Sequence, residues 1–173
     1  IGTMAIDLGR LFGLKVIVTC GSDGKCSRAL ELGAAHAINY KSSDFVEEVA
    51  RITGGKGVEL VLDLVAGSYV PRNLKCLAED GRHVTIAIQG GASAEVNFAA
   101  VMTRRYTMTG STLRPGSDEF KALLAQEIAL NAWPLAESGE LRPVMDRVYP
   151  LREAAAAGTV GVQAGLAVGG QFG

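Results

Sequence analysis

The sequence predicts an α/β fold of the doubly wound kind, a parallel sheet with helices on both faces. Two observations lead there. Short apolar and β-branched runs alternate with helical stretches along the chain, and glycines stand at most of the changeovers. The strand-like runs are also apolar along their length, as strands covered on both faces require. Parallel strands need long crossovers, and helices supply them. The fold class follows from that alternation.

The first element is a helix over 1–13, where Met4, Ala5, Leu8, Leu11 and Phe12 fall at helical spacing and Gly13 closes the last turn. A strand over 15–20 follows, built on Val16, Ile17 and Val18. A helix over 23–32 ends at Gly33, and a second strand covers 36–40. The helix over 43–53 is stopped by Gly54 and Gly55, and the strand over 58–65 lies between Gly57 and Gly67. A helix near 69–78 leads to a strand over 83–88. A looser segment with a helical turn around 99–105 precedes the strand over 106–113. The longest helix spans 119–138 and bends at Pro134, which has no N–H for an interior hydrogen bond. From Ala154 onward there is no charged residue, and Gly158, Gly161, Gly165, Gly169, Gly170 and Gly173 break any regular pattern. The expected organisation is therefore one domain over 1–157 and a glycine-rich tail over 158–173.

Composition narrows the function. The 17 basic and 18 acidic residues give a net charge of -1, with no long run of either sign. Nucleic acid and membrane surfaces are poor partners for such a chain. Cys20, Cys26 and Cys76 are odd in number and lack C-x-x-C spacing, which argues for reduced thiols, against a disulfide or structural zinc, and for the cytoplasm. The opening Ile1-Gly2-Thr3-Met4 is already inside a helix pattern, so the expectation is that sequence upstream is missing.

Doubly wound sheets bind ligands beyond the carboxyl ends of their strands. Gly2, ahead of a helix, suits a nucleotide-binding turn in which bare backbone approaches a pyrophosphate, although a plain helix start reads the same way. After the strand over 15–20, an NAD-preferring domain carries an acidic residue for the ribose hydroxyls. Here that place holds Cys20, followed by Gly21, Ser22 and, in the first helical turn, Lys25. A hydroxyl and an ammonium group suit a 2′-phosphate, so NADP(H) fits better; a serine N-cap and a solvated lysine are the plainer alternative. Asp23 weakens the local positive field. Tyr40, at the end of the next strand, can lie against an adenine or simply pack. His36 and His83 read as isolated surface or strand-end residues without a catalytic role, and Asp63 as an acid, a metal ligand or, in preference, a structural carboxylate held by backbone donors.

Taken together, Ile1-Gly2-Thr3-Met4-Ala5-Ile6, Val18-Thr19-Cys20-Gly21-Ser22, Glu31-Leu32-Gly33-Ala34, Leu62-Asp63-Leu64-Val65, Asp80-Gly81-Arg82 and Thr109-Gly110-Ser111-Thr112-Leu113-Arg114 carry a resemblance. They resemble the quinone oxidoreductase group of the medium-chain dehydrogenase/reductase superfamily, in its zinc-free, NADPH-dependent branch, from about Ile1 to Ala157. The resemblance implies a Rossmann-type cofactor domain that lacks its first strand, the front of its glycine loop and an N-terminal β-rich substrate domain. It implies that Ile1 and Gly2 touch the pyrophosphate, Gly21, Ser22 and Lys25 the 2′-phosphate, and Tyr40 the adenine ribose side. Ile86 and Ile88 are then nicotinamide neighbours, and Ser111 and Leu113 line the same cleft. The implied reaction is hydride transfer from NADPH to a quinone or another conjugated carbonyl compound, by a homodimer joined through the edge strand 106–113. The isolated chain is expected to be inactive. An enoyl reductase or alcohol dehydrogenase of the same superfamily, and a nucleotide-binding module without chemistry, are the alternatives.

Overall fold

In the computed structural model, which describes residues 1–145 and 147–156, side-chain caps fix where several helices begin. Helix α1 (Gly2–Leu11) leads to strand β1 (Ile17–Cys20), and α2 (Asp23–Glu31) starts at Ser22, whose hydroxyl accepts the Lys25 N–H. Strand β2 (His36–Asn39) is followed by α3 (Phe45–Ile52), where the Asp44 carboxylate accepts the N–H groups of Val46 and Glu47. These acceptors satisfy amides that a helix leaves without partners in its first turn. Strand β3 (Val58–Asp63), a single 3₁₀ turn (Gly67–Tyr69), α4 (Val70–Cys76) and β4 (Leu77–Thr85) come next. The chain continues through α5 (Phe98–Thr103), β5 (Thr107–Gly110), α6 (Asp118–Asn131) and α7 (Trp133–Glu137). The expected glycine-rich tail, 158–173, lies outside the described residues.

All the strand pairing is parallel, and it forms two groups. Strands β1 and β2 pair from Ile17 opposite His36 to Cys20 opposite Asn39. Strands β3, β4 and β5 form the second group, with Asp63 opposite Thr85 and Thr85 opposite Gly110. Among the described residues, β1 and β3 each have one edge without a partner strand. In a doubly wound sheet of order 3-2-1-4-5-6 the first strand separates the second from the fourth, so the division falls where a sheet without its first strand would divide.

Side-chain packing joins the two groups. Ile38, Phe45, Val49 and Cys76 form one buried cluster to which β1 contributes Ile17 and β3 contributes Val58. Phe45 stacks on Tyr69 with ring centroids 5.8 Å apart, and the Arg72 guanidinium lies 4.2 Å from the Phe45 centroid while pairing with Asp44 at 3.0 Å. A second cluster, Ile6, Cys20, Ala29 and Ala34, seats α1 and α2 on β1. A third joins Ala66, Val70, Leu74, Leu77 and Tyr106 around β4.

The three largest departures from the boundaries the periodicity predicts fall at β4, at β5 and in the long helix. Strand β4 begins at Leu77 and ends at Thr85, instead of covering 83–88, because the chain bulges at Asp80. Asp80 has φ +59°, and the Arg105 guanidinium holds its carboxylate with bonds of 2.6 and 2.8 Å. The last strand keeps only Thr107–Gly110, since Pro115 and Gly116 draw the following residues into a turn. The long helix is divided at Ala132, two residues before Pro134, because Pro134 occupies the first turn of α7. Helix α6 has no buried residue, and Phe120, Leu123 and Ile128 on it are exposed. Among the described residues no helix is long and apolar enough to cross a membrane.

Leu77 is fully buried at the centre of the third cluster. Leu77→Ala should lower stability by about 2–5 kcal/mol, the range for an aliphatic truncation that leaves a cavity, as read from urea unfolding.

Candidate functional site

Parallel register brings the carboxyl ends of the strands into line within each group: Cys20 beside Asn39, and Asp63 beside Thr85 beside Gly110. Most of the residues singled out in the sequence follow those ends.

At the end of β1 and β2, Gly21 meets Tyr40, and Ser22 caps the helix whose first turn carries Lys25. Gly21 lies under Tyr40, so that a Cβ on Gly21 would stand 2.8 Å from the Tyr40 hydroxyl. Any larger residue would displace the ring. The Tyr40 N–H donates to the Cys20 carbonyl at 3.1 Å, which ties the two strand ends. The Ser22 hydroxyl accepts the Lys25 N–H at 3.4 Å as the cap of α2, and its own O–H remains available to donate. The serine is therefore both the N-cap of the plainer alternative and a possible phosphate donor. Asp23 is turned to a different use, since its carboxylate accepts the Asn39 amide at 2.7 Å. Sequence reasoning missed Lys41. Its Cε would be 3.7 Å from a Cβ on Gly21, which brings a second ammonium-bearing side chain to this strand end. Its place directly after Tyr40 was the available signal.

Cys20 is fully buried, and burial together with the neighbouring Cys26 thiol pushes its own thiol up to about 11. It stays neutral. No carboxylate therefore occupies the position that would repel a 2′-phosphate. Burial also raises Tyr40, helped by Tyr69 and Cys20, so its phenol keeps its proton.

At the start of α1, Ile1 is exposed and its carbonyl accepts the Ala5 N–H at 2.9 Å, with Gly2 as the first helical residue. Beyond β4, Ile86 is half-buried and its N–H donates to the Asp63 carbonyl at 2.8 Å, while Ile88 is exposed. The Ser111 N–H donates to the Thr85 carbonyl at 3.0 Å, extending the β4–β5 ladder by one residue. Leu113 lies past the strand and is exposed, so it is not brought beside the other three by sheet pairing.

The histidine expectation needs correcting. His83 is not a surface or strand-end residue: it lies within β4 with its side chain 1% exposed, and its Nε2 is 3.0 Å from Asp63 Oδ2. His36 is exposed, as expected. Asp63 is held by backbone donors, its Oδ1 accepting the N–H groups of Val65 at 2.7 Å and Ala66 at 2.9 Å. Burial alone would raise this carboxyl. The hydrogen bonds from His83, Ala66 and Val65 outweigh that and hold it below the ordinary carboxylate range.

The turn these bonds secure is strained. Ala66 has φ +57° and ψ −148°, a region that non-glycine residues enter at a cost of roughly 1–3 kcal/mol. Gly67 has φ +54°, and a Cβ there would collide with the Gly90 carbonyl. Backbone and backbone touch at that point.

The family model described as zinc-binding dehydrogenase matches residues 1–129. The quinone oxidoreductase of Sus scrofa is 30% identical over 158 residues, an alignment that covers 91% of this chain and 46% of the relative. The crystal structure of Escherichia coli quinone oxidoreductase complexed with NADPH superimposes with a TM-score of 0.72 at 30% identity, over 83% of this chain and 44% of that one. A 2-haloacrylate reductase structure gives a TM-score of 0.73 at 29% identity, over 91% of this chain and 49% of that one. The chain spans about half the length of the curated relatives it matches. The family description implies zinc, but among the described residues no group of three or more His, Cys, Asp or Glu is placed to hold a metal ion.

Because Asp63 is ionised more readily in the folded chain, its contribution is complete above the unfolded-state value of about 3.9 and is lost as pH falls through the lower folded value. Asp63→Asn should cost about 1–3 kcal/mol at neutral pH and flatten the loss of stability between about pH 5 and about pH 2. Urea unfolding across that range checks it.

Proposed function

The chain belongs to the zinc-binding dehydrogenase family, and from that premise we propose that it is the NADP(H)-holding part of an oxidoreductase that reduces a quinone or another conjugated carbonyl compound. One observation carries the reading. Where an NAD-preferring domain keeps an acidic side chain, this chain has the buried, neutral Cys20, then the bare backbone of Gly21 beside Tyr40 and Lys41.

NADPH, when bound, supplies the hydride, and the protein's share is to hold and orient it. In this reading the Ser22 hydroxyl donates to the 2′-phosphate, Lys25 and Lys41 supply positive charge, and the Tyr40 ring lies against the adenine side. Ile1 and Gly2 present backbone at the head of α1 to the pyrophosphate. Ile86 and Ile88 neighbour the nicotinamide, and Ser111 and Leu113 line the same cleft. The NADPH complex of the E. coli relative supports the cofactor, and the quinone oxidoreductases support the acceptor. Similarity to a 2-haloacrylate reductase widens the acceptor class to electron-poor double bonds conjugated to a carbonyl group.

We assign these residues the cofactor-binding share of that reaction. Strand β5 supports a homodimer formed edge to edge, since its four residues are exposed and its outer edge is unpaired among the described residues. The free thiols Cys20, Cys26 and Cys76 suit a cytoplasmic setting.

Calorimetric titration of the 173-residue chain with NADPH and NADH tests the assignment. NADPH should bind more tightly. Lys25→Glu should weaken NADPH about 10- to 100-fold, as expected for loss of a charge-assisted hydrogen bond, and leave NADH within about threefold. Tighter NADH binding by the unaltered chain would reverse the cofactor assignment.

A further inference from the structure

The fully buried His83 has no place in the reading above, and neither does the strain at Ala66. An aliphatic residue would serve a buried parallel strand as well as histidine does. The imidazole instead directs Nε2 to Asp63 Oδ2 at 3.0 Å, leaving Oδ1 aimed at the Val65 and Ala66 N–H groups. Those bonds hold the turn after β3 in a backbone region that alanine does not adopt unaided. The turn in turn holds the loop after β4. Gly90 donates its N–H to the Val65 carbonyl at 2.7 Å, and Gly67 leaves room for the Gly90 carbonyl because it has no Cβ. Ile86 and Ile88 stand on the stretch between β4 and Gly90.

We propose that His83 is a positioning residue which, through Asp63, fixes the turn at 65–67 and the loop at 86–90 so that the nicotinamide end of the cofactor meets a preformed surface. The inference rests on the NADP(H) reading and adds to it a residue that touches no part of the cofactor. Orientation of the reacting end is the quantity it controls. The adenosine end, which belongs to the β1–β2 pair, is independent of it.

The test separates the two ends. The full chain, His83→Leu and His83→Gln are titrated with NADPH and with adenosine 2′,5′-bisphosphate, which has the adenosine phosphates and lacks the nicotinamide. Leucine removes the donor, whereas glutamine presents an N–H at similar reach. His83→Leu should weaken NADPH roughly tenfold, leave the bisphosphate within about twofold, and be restored by His83→Gln. Amide hydrogen exchange without ligand should quicken at Val65, Ala66 and Gly90 in the leucine variant and stay unchanged in β1 and β2. Equal weakening of both ligands, or unchanged exchange at those three amides, overturns the positioning role. Should the leucine variant unfold, His83→Met replaces it, since the flexible thioether fills the space without donating. Unfolding of both makes the role structural and overturns the proposal. An unaltered chain that binds the bisphosphate but gains nothing from the nicotinamide half overturns this inference and leaves the cofactor reading standing. A chain that binds neither ligand overturns both.

Discussion

Parallel pairing is the constraint from which the rest of this molecule follows. It forces each connection to run back along the sheet, it spends a helix on every crossover, and it gathers the carboxyl ends of neighbouring strands into one line. Cys20 and Asn39 end side by side for that reason, as do Asp63, Thr85 and Gly110. The N–H groups of Tyr40, Ile86 and Ser111 carry the ladders one bond further, and most backbone groups past them have no regular ladder to join. They are satisfied by short-range devices instead: Ser22 at the head of α2, the Asn39 side chain at the Lys41 N–H, and the Asp63 carboxylate at the turn after β3. The polar residues of the candidate site are thus first the residues that close off a sheet.

The two strand groups are held together by side chains and not by a continuous ladder. Ile17 and Val58 reach the same cluster from either side, and the Phe45, Tyr69 and Arg72 stack fastens α3 to α4 above it. This leaves apolar surface uncovered along β3, where Leu60 is 51% exposed and Leu62 is 40% exposed. Hydrophobic burial is proportional to area removed from water, so those side chains contribute little as they stand. The same holds for α6, whose leucines and phenylalanine face solvent. The stability of this chain is therefore concentrated in the three buried clusters, of which one holds Cys20 at the end of β1 and another has Tyr40 packed against it.

Much of this was legible in the sequence, for identifiable reasons. Val16 to Val18 and Val58 to Leu62 announce themselves because strands of a parallel sheet are predominantly apolar, here even where the surface of Leu60 and Leu62 is left uncovered. Gly21, Ser22, Lys25 and Tyr40 were singled out because the fold class says where ligands bind, and in the structure Gly21 lies under Tyr40 while Ser22 caps the turn that carries Lys25. Other features were not legible because they depend on contacts between distant residues. The bulge at Asp80 is held by Arg105, 25 residues further on, and no local pattern signals it. His83 looked isolated since its partner lies 20 residues earlier in another strand, opposite a neighbouring position of the ladder. Lys41 was passed over for a simpler reason: a lysine after a strand is usually just solvated, and only the proximity of Gly21 makes it more.

The two ends of the proposed cofactor would meet different kinds of surface. Around Gly21 the groups on offer are side chains, among them the Ser22 hydroxyl at the head of α2 and the Lys41 chain. Flexible, charged donors suit a ligand group whose own charge does the ordering. Beyond β3 and β4 the surface is backbone, with Ala66 forced into an unfavourable conformation and Gly67 packed against Gly90. Such a surface cannot adjust, and its value lies in that rigidity: a ring that must present one face to an acceptor gains from a wall already in place. A buried carboxylate with three donors is the means of building that wall, because a charge so thoroughly bonded costs more to release than the strained turn does to keep.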